Sequence, residues 1–162
     1  MRFSQAVSSF MQHLESLNRS GLTLNSYSQD LRDFEAFLAA RLNGPVYLED
    51  VSAEDVDRYL HHLLSRELAS ATRQRFLVSV KSFFTFCFRK RLVPENVASG
   101  LDNVRVEQRE RAFLGHGEAL ELFSAIDRPI VRVFAQTLYY SGLRISEALG
   151  LTIRDVDLQQ GV

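Results

Sequence analysis

A chain of 162 residues that is 46% hydrophobic, with eight glycines and three prolines, can bury cores and is neither a disordered nor an all-β sequence. Its single cysteine, Cys87, excludes a disulfide scaffold, and no apolar run or signal-peptide core marks a membrane or secreted class, so a soluble, cytoplasmic protein is expected. The net charge of −1 hides an uneven distribution: 5 Lys/Arg against 9 Asp/Glu over residues 1–60, 10 against 5 over 61–111, and 4 against 6 over 112–162. A basic middle between acidic ends suits a local polyanion site, because phosphate contacts need a positive face rather than a positive protein; the same run also reads as an ordinary solvated surface.

Apolar spacing predicts helices almost throughout. The first follows Phe3, Val7, Phe10, Met11, Leu14 and Leu17 and ends at Asn18-Arg19-Ser20-Gly21. The second, with Thr23 as its cap, carries Leu24, Tyr27, Leu31, Phe34 and Leu38 and closes near Asn43-Gly44-Pro45. The third starts at Ser52, with Asp55 in the capping-box position and Val51 able to staple onto Val56; its core face is Val56, Tyr59, Leu60, Leu63 and Leu64. Ser70 is expected to cap a long fourth helix running to about Arg91, and Pro94 and Gly100 bracket a short turn or helix. Residues 1–100 therefore read as one all-α unit of four to five helices.

Residues 101–114, charged and without a period, read as a linker. Residues 115–162 begin a second unit: a helix over Glu118–Ile126, another from Arg128 with Asp127 as cap and Pro129 in its first turn, a stop at Gly142, a short helix in RISEALG, and a strand approach at Leu158–Val162. About 50 residues are few for a core of their own, which sets the expectation that the chain is part of a longer protein.

Two stretches could carry chemistry. At 100° per residue, Phe76, Leu77, Val80, Phe83, Phe84, Cys87 and Phe88 fall within roughly 140° and read as core. The opposite arc holds Gln74, Arg75, Ser79, Lys81, Ser82, Thr85 and Arg89, continued by Lys90 and Arg91. Cations among small hydroxyls suit a DNA backbone, which can approach closely and be neutralised; a solvated helix face has the same composition. The second stretch, YSGLRISEALGL (Tyr140–Leu151), sets Arg144 among Phe134, Leu138, Leu143, Ile145, Leu149 and Leu151, all expected to be buried. A guanidinium there requires a partner: either Glu147 satisfies it or it awaits a ligand anion such as phosphate.

At these residues the sequence resembles the tyrosine recombinases, most closely their Xer-type members. TLYYSGLRISEALGLTIRDVDL (Thr137–Leu158) is similar to the family's first-arginine motif, TLNSYSQDLRDFEAFL (Thr23–Leu38) to its T-x-x-x-Y-x-x-D-L-x-x-F segment, and SATRQRFLVSVKSFFTF (Ser70–Phe86) to its S-x-T-x-x-R segment. Val78, Lys81 and Asn96-Val97 depart from the usual serine, arginine and Asn-Pro.

The resemblance implies an N-terminal SAM-like core-binding domain over residues 1–100 and the first helices of a mixed α/β catalytic domain from 115. It implies a double-stranded DNA recombination site as partner and, for the full-length protein, further recombinase protomers in a tetrameric synapse. DNA contact would fall to Thr72, Gln74, Arg75, Ser79, Lys81, Ser82 and Arg89. Arg144 would be the first catalytic arginine, a bidentate fork on the phosphate's non-bridging oxygens, oriented by Glu147. In the family a tyrosine attacks a DNA phosphate with no metal and no cofactor.

The start of the first helix near Met1 sets an expectation of no separate arm-binding domain. None of His13, His61, His62 and His116 opens an H-x-x-R motif, and none of Tyr27, Tyr47, Tyr59, Tyr139 and Tyr140 lies downstream of such a histidine. The chain by itself is therefore expected not to cut DNA. Three functions compete: the DNA-binding and partial catalytic portion of a recombinase, a stand-alone DNA-binding module, and a helical interaction domain in which Arg144–Glu147 is only an internal ion pair. Three separate matching segments favour the first.

Overall fold

The computed structural model describes residues 1–107 and 112–156 and divides the chain into two compact units, Met1–Gln108 and Arg109–Val162. Among the described residues the secondary structure is helical apart from one isolated bridge between Arg2 and Tyr47. The expected strand approach at Leu158–Val162 lies outside them.

The first unit contains α1 (Phe3–Ser16), α2 (Gly21–Leu42), α3 (Ala53–Ser65) and α4 (Ser70–Arg89), with a single 3-10 turn at Leu48–Asp50. Local chemistry sets the boundaries. Ser20, not Thr23, caps α2: its hydroxyl accepts from the Thr23 amide at 3.2 Å. Asn43 closes that helix in the left-handed region at φ 52°, which its short polar side chain tolerates. At α3 the capping box forms as expected, with the Asp55 carboxylate accepting from the Ser52 amide at 2.9 Å and the Asp55 amide donating to the Ser52 hydroxyl at 3.3 Å. Asp55 is also buried against Arg41 of α2 at 2.7 Å, so the cap ties two helices together. Ala69, rather than Ser70, occupies the cap position of α4, and the helix stops at Arg89, two residues before Arg91 turns left-handed.

The core is a chain of aromatic rings: Phe3 lies 4.9 Å from Phe83 and 5.8 Å from Phe34, Phe34 lies 4.8 Å from Tyr59, and Phe10 lies 5.7 Å from Phe83. All five are buried. Each such side chain contributes about 1.5–3 kcal/mol on removal from water. α4 packs against α1, α2 and α3, and this central place widens its buried face. The buried arc spans roughly 180° rather than 140°. It gains Ser79 and Phe86, while Phe88, expected in the core, is 47% exposed. Leu64, at the edge of the α3 stripe, is likewise outside the core.

The N-terminus is pinned to the segment between α2 and α3. Phe3 N donates to Val46 O at 2.9 Å, Leu48 N to Met1 O at 3.0 Å, and the terminal ammonium reaches Glu49 at 2.9 Å. Residues 94–100 form turns, with Asn96 Oδ1 accepting from the Ala98 amide at 3.1 Å. Leu101 and Val104, expected as the start of a linker, instead pack on the core of this unit.

In the second unit α5 (His116–Ser124), α6 (Pro129–Ser141) and α7 (Ile145–Leu149) follow one another. Arg128, not Asp127, is the cap residue of α6; standing before Pro129, it is held in the extended region. Gly142 takes the left-handed stop at φ 68°, as its position after the apolar run predicts. Of the described residues here, Ala119 and Phe123 are buried, with Phe123 against Tyr139 at 5.5 Å.

Candidate nucleic-acid interface

The polar side of α4 is organised by what it bonds. Asp30 of α2 is fully buried, and its two carboxylate oxygens accept from Arg75 Nη1 at 2.5 Å and Ser79 Oγ at 2.7 Å. Ser79 is therefore an internal group, not a surface one: it is 4% exposed, and its hydroxyl donates to the carboxylate oxygen of Asp30 that Arg75 does not engage. The family-like T-x-x-x-Y-x-x-D segment contained this aspartate, but helical periodicity gave no reason to place a charge in the core.

Helical register splits the remaining residues into two rows spaced by seven. Gln74 and Lys81 form one row and hold residues 101–104 along the helix. Lys81 Nζ donates to Leu101 O at 2.6 Å and to Asn103 Oδ1 at 2.9 Å, while Gln74 Oε1 accepts from the Val104 amide at 2.7 Å. Arg75, Ser82 and Arg89 form the other row, beside α2, where Tyr27 donates to Ser82 Oγ at 3.4 Å. Arg75 keeps half its side chain in solvent with its guanidinium over the Phe76 ring, and Arg89 is exposed. Thr72 is half-buried in the first turn, on the side of Phe76 and Phe83, and Thr85 accepts from Asn96 Nδ2 at 3.2 Å. Thus Arg75, Ser82 and Arg89 stand together, Gln74 and Lys81 clasp the following segment, and Ser79 faces inward.

Arg144 lies just beyond the Gly142 stop, as the cap residue of α7. It is not buried: its side chain is 83% exposed. Ile145, Leu149 and Leu151 are exposed as well, while Phe134, Leu138 and Leu143 are half-buried. A short run of three helices among the described residues has no second layer to cover them. The expected partner is present. Glu147 Oε2 accepts from the Arg144 amide and Oε1 from Arg144 Nη1, both at 2.8 Å. One carboxylate thus grips backbone and guanidinium together, and first the amide, then the guanidinium, hold its proton affinity below the ordinary carboxylate value. Among the described residues one guanidinium hydrogen bond is engaged, which leaves further donors of the fork for a second anion.

The family model for the phage integrase N-terminal SAM-like domain matches residues 7–91. The chain belongs to the phage integrase family and carries that domain. Its sequence relatives are tyrosine recombinases of the XerC and XerD kind. It is 34% identical to tyrosine recombinase XerC of Pelobacter propionicus over 98% of this chain and 54% of that protein. It is 30% identical to XerC of Bacillus subtilis over 94% of this chain and 51% of that protein. The chain thus spans about half the length of the curated relatives it matches. In fold it is similar to a lambda integrase tetramer bound to a Holliday junction, with TM-score 0.82 and 16% identity over 98% of this chain and 44% of that one. The Tn1549 transposon integrase in complex with transposon right end DNA gives TM-score 0.74 and 21% identity over 97% and 50%.

Proposed function

We propose that this chain is the DNA half-site-binding portion of a Xer-like site-specific tyrosine recombinase, together with its first catalytic arginine. Residues 1–100 would be the core-binding domain, 101–114 the linker, with its first residues anchored on α4, and 115–162 the start of the catalytic domain. The observation that carries the reading is Arg144. It stands in the stretch resembling the family's first-arginine motif, outward-facing and gripped at amide and guanidinium by Glu147. Glu147 fixes the fork's orientation while engaging one of its donors, which suits an arginine set to receive a second anion.

The mechanism follows from that geometry. As charge builds on the non-bridging oxygens of a phosphate under attack, a pre-oriented planar fork donates two parallel hydrogen bonds and needs no reorganisation at that moment. Glu147 is a positioning residue, holding the fork by its i+3 bond. In the first unit, Arg75, Ser82 and Arg89 form the row offered to DNA, while Asp30, itself bonded by Ser79, holds Arg75 in place. Gln74 and Lys81 act through the clasped segment.

The partner is duplex DNA, consistent with the solved relatives described as bound to a core site or a Holliday junction. Further recombinase protomers would join in the full-length assembly, in a cytoplasmic setting. With no H-x-x-R motif in these 162 residues, strand cleavage is assigned to the whole recombinase and not to this chain. The test is a mobility-shift titration with a Xer-type duplex, an equal-length single strand and a nicked suicide duplex. The reading expects retardation of the duplexes in preference to the single strand and no covalent adduct. Equal binding of single and double strands contradicts it, as does an adduct.

A further inference from the structure

Beyond the row on α4, the first unit carries an acid-free groove where α1, the start of α2 and the end of α4 meet. A cleft of about 450 Å³ opens there, and an adjoining depression shares His13, Phe86 and Lys90 with it. Among the described residues no carboxylate lines either one, in a chain with 20 acidic residues. The rim holds Arg19, Arg89 and Lys90, all exposed. Among the described residues none of these three joins an ion pair, whereas Arg41, Arg58, Arg66 and Arg75 of the same unit each face a carboxylate. Hydroxyls of Tyr27, Ser82 and Thr85 line the cleft between the cations, and the His13 ring stacks on Phe86 at 5.1 Å to close its floor.

Three cations that join no ion pair among the described residues, set on the rim of a hydroxyl-lined cleft, make a site for a diffuse anionic surface. The cleft's lining of cations and hydroxyls matches phosphate oxygens, and the one side-chain amide nearby, Gln12, lines only the adjoining depression. We infer that this groove is a backbone-phosphate subsite for duplex DNA, contacted by Arg19, Arg89 and Lys90 and indifferent to base sequence. The inference rests on the DNA-binding reading above and extends it to α1, the start of α2 and Lys90, which the α4 face alone does not include. Hydroxyl groups at Tyr27 and Ser82 let the strand approach closely, while the cations replace its condensed counterions.

The experiment is fluorescence anisotropy of the 162-residue chain on a labelled Xer-type duplex and on a scrambled duplex, at graded KCl. The variants are Arg19→Gln, Arg89→Gln and Lys90→Gln, with Arg58→Gln on α3 as control. Each groove variant is expected to lower the slope of log affinity against log salt by about one unit. The loss should be equal on both duplexes, with no change for the control. Unchanged slopes in all three overturn the subsite, and so does a loss confined to one sequence, which would make the groove a base reader. A fall in melting temperature with binding intact overturns it too, since it would assign Arg89 and Lys90 to the α4 dipole alone. A parallel ¹⁵N titration with inorganic phosphate separates the sources: groove shifts with phosphate but unaltered duplex slopes mean a small-anion site. If the unaltered chain shows no salt-dependent duplex binding, the DNA-binding reading itself fails. If it binds and only the variants are silent, the groove alone fails.

Discussion

Lys81 Nζ donates to the carbonyl of Leu101 at 2.6 Å, so a cation expected on a DNA-facing surface instead holds the chain that leaves the first unit. Together with the Gln74–Val104 bond it lays residues 101–104 along α4, and Leu101 and Val104 pack on the core beneath. Lys81→Met removes both donated bonds while keeping the aliphatic stem. The strap should loosen at a cost of about 1–3 kcal/mol, since its acceptors lose a charged donor. Amide exchange at Val104 and tryptic cleavage after Arg105 should both accelerate. Unchanged exchange and cleavage would show that the strap holds by packing alone.

Asp30 is the hub of the α2–α4 seam. Asp30→Ala leaves the Ser79 hydroxyl buried without its acceptor and releases Arg75, so urea unfolding should show a loss of about 3 kcal/mol. Ser79→Ala should cost about 1 kcal/mol, because Asp30 keeps Arg75. Equal losses for the two variants would contradict the hub assignment.

The shifted core stripe of α4 separates two phenylalanines two residues apart. Phe86 is 7% exposed and lies 5.3 Å from Phe10, whereas Phe88 is 47% exposed. Phe86→Ala should cost about 3–5 kcal/mol and Phe88→Ala about 1 kcal/mol or less. The reverse order would restore the stripe read from the sequence. On the same helix, burial pushes the Cys87 thiol up to about 12. Labelling by a thiol reagent at neutral pH should therefore follow global opening, its rate rising with urea; rapid labelling in native buffer would contradict the burial.

Much of this architecture was legible in the sequence, and what was not has a common physical cause. The helices, the Ser52–Asp55 capping box and the Gly142 stop follow from local chemistry, which needs only neighbours in the chain. So does the Arg144–Glu147 pair, at i+3. The width of the α4 core arc was not legible, because it depends on how many helices pack against it. Nor was the inward turn of Ser79, which requires Asp30, 49 residues away, as partner. The exposure of Arg144 and its apolar flanks depends on whether a second layer covers α7, and no local pattern reports that. Three caps slipped by one to three positions (Ser20 for Thr23, Ala69 for Ser70, Arg128 for Asp127), the usual reach of end effects.

The Arg144–Glu147 clamp carries a pH signature. Glu147's proton affinity is depressed in the folded chain by the Arg144 amide and then its guanidinium. The clamp is accordingly complete above the unfolded carboxylate value of about 4.3 and is lost as pH falls through the lower folded value. A ¹³C titration of the Glu147 carboxyl should give a midpoint below about 4.3, returning to it in Arg144→Gln only in part, because the backbone amide remains. A midpoint at or above the ordinary value in the unaltered chain would mean that the clamp does not form in solution.

The most direct test of the central claim, that this chain is the DNA-binding portion of a tyrosine recombinase, is the salt dependence of its binding to a duplex half-site. Anisotropy titrations from about 50 to 200 mM KCl should give log affinity falling linearly with log salt, with a slope of about −3 or steeper, as several phosphates are neutralised at once. A flat dependence, or no duplex binding at the lowest salt, would contradict it.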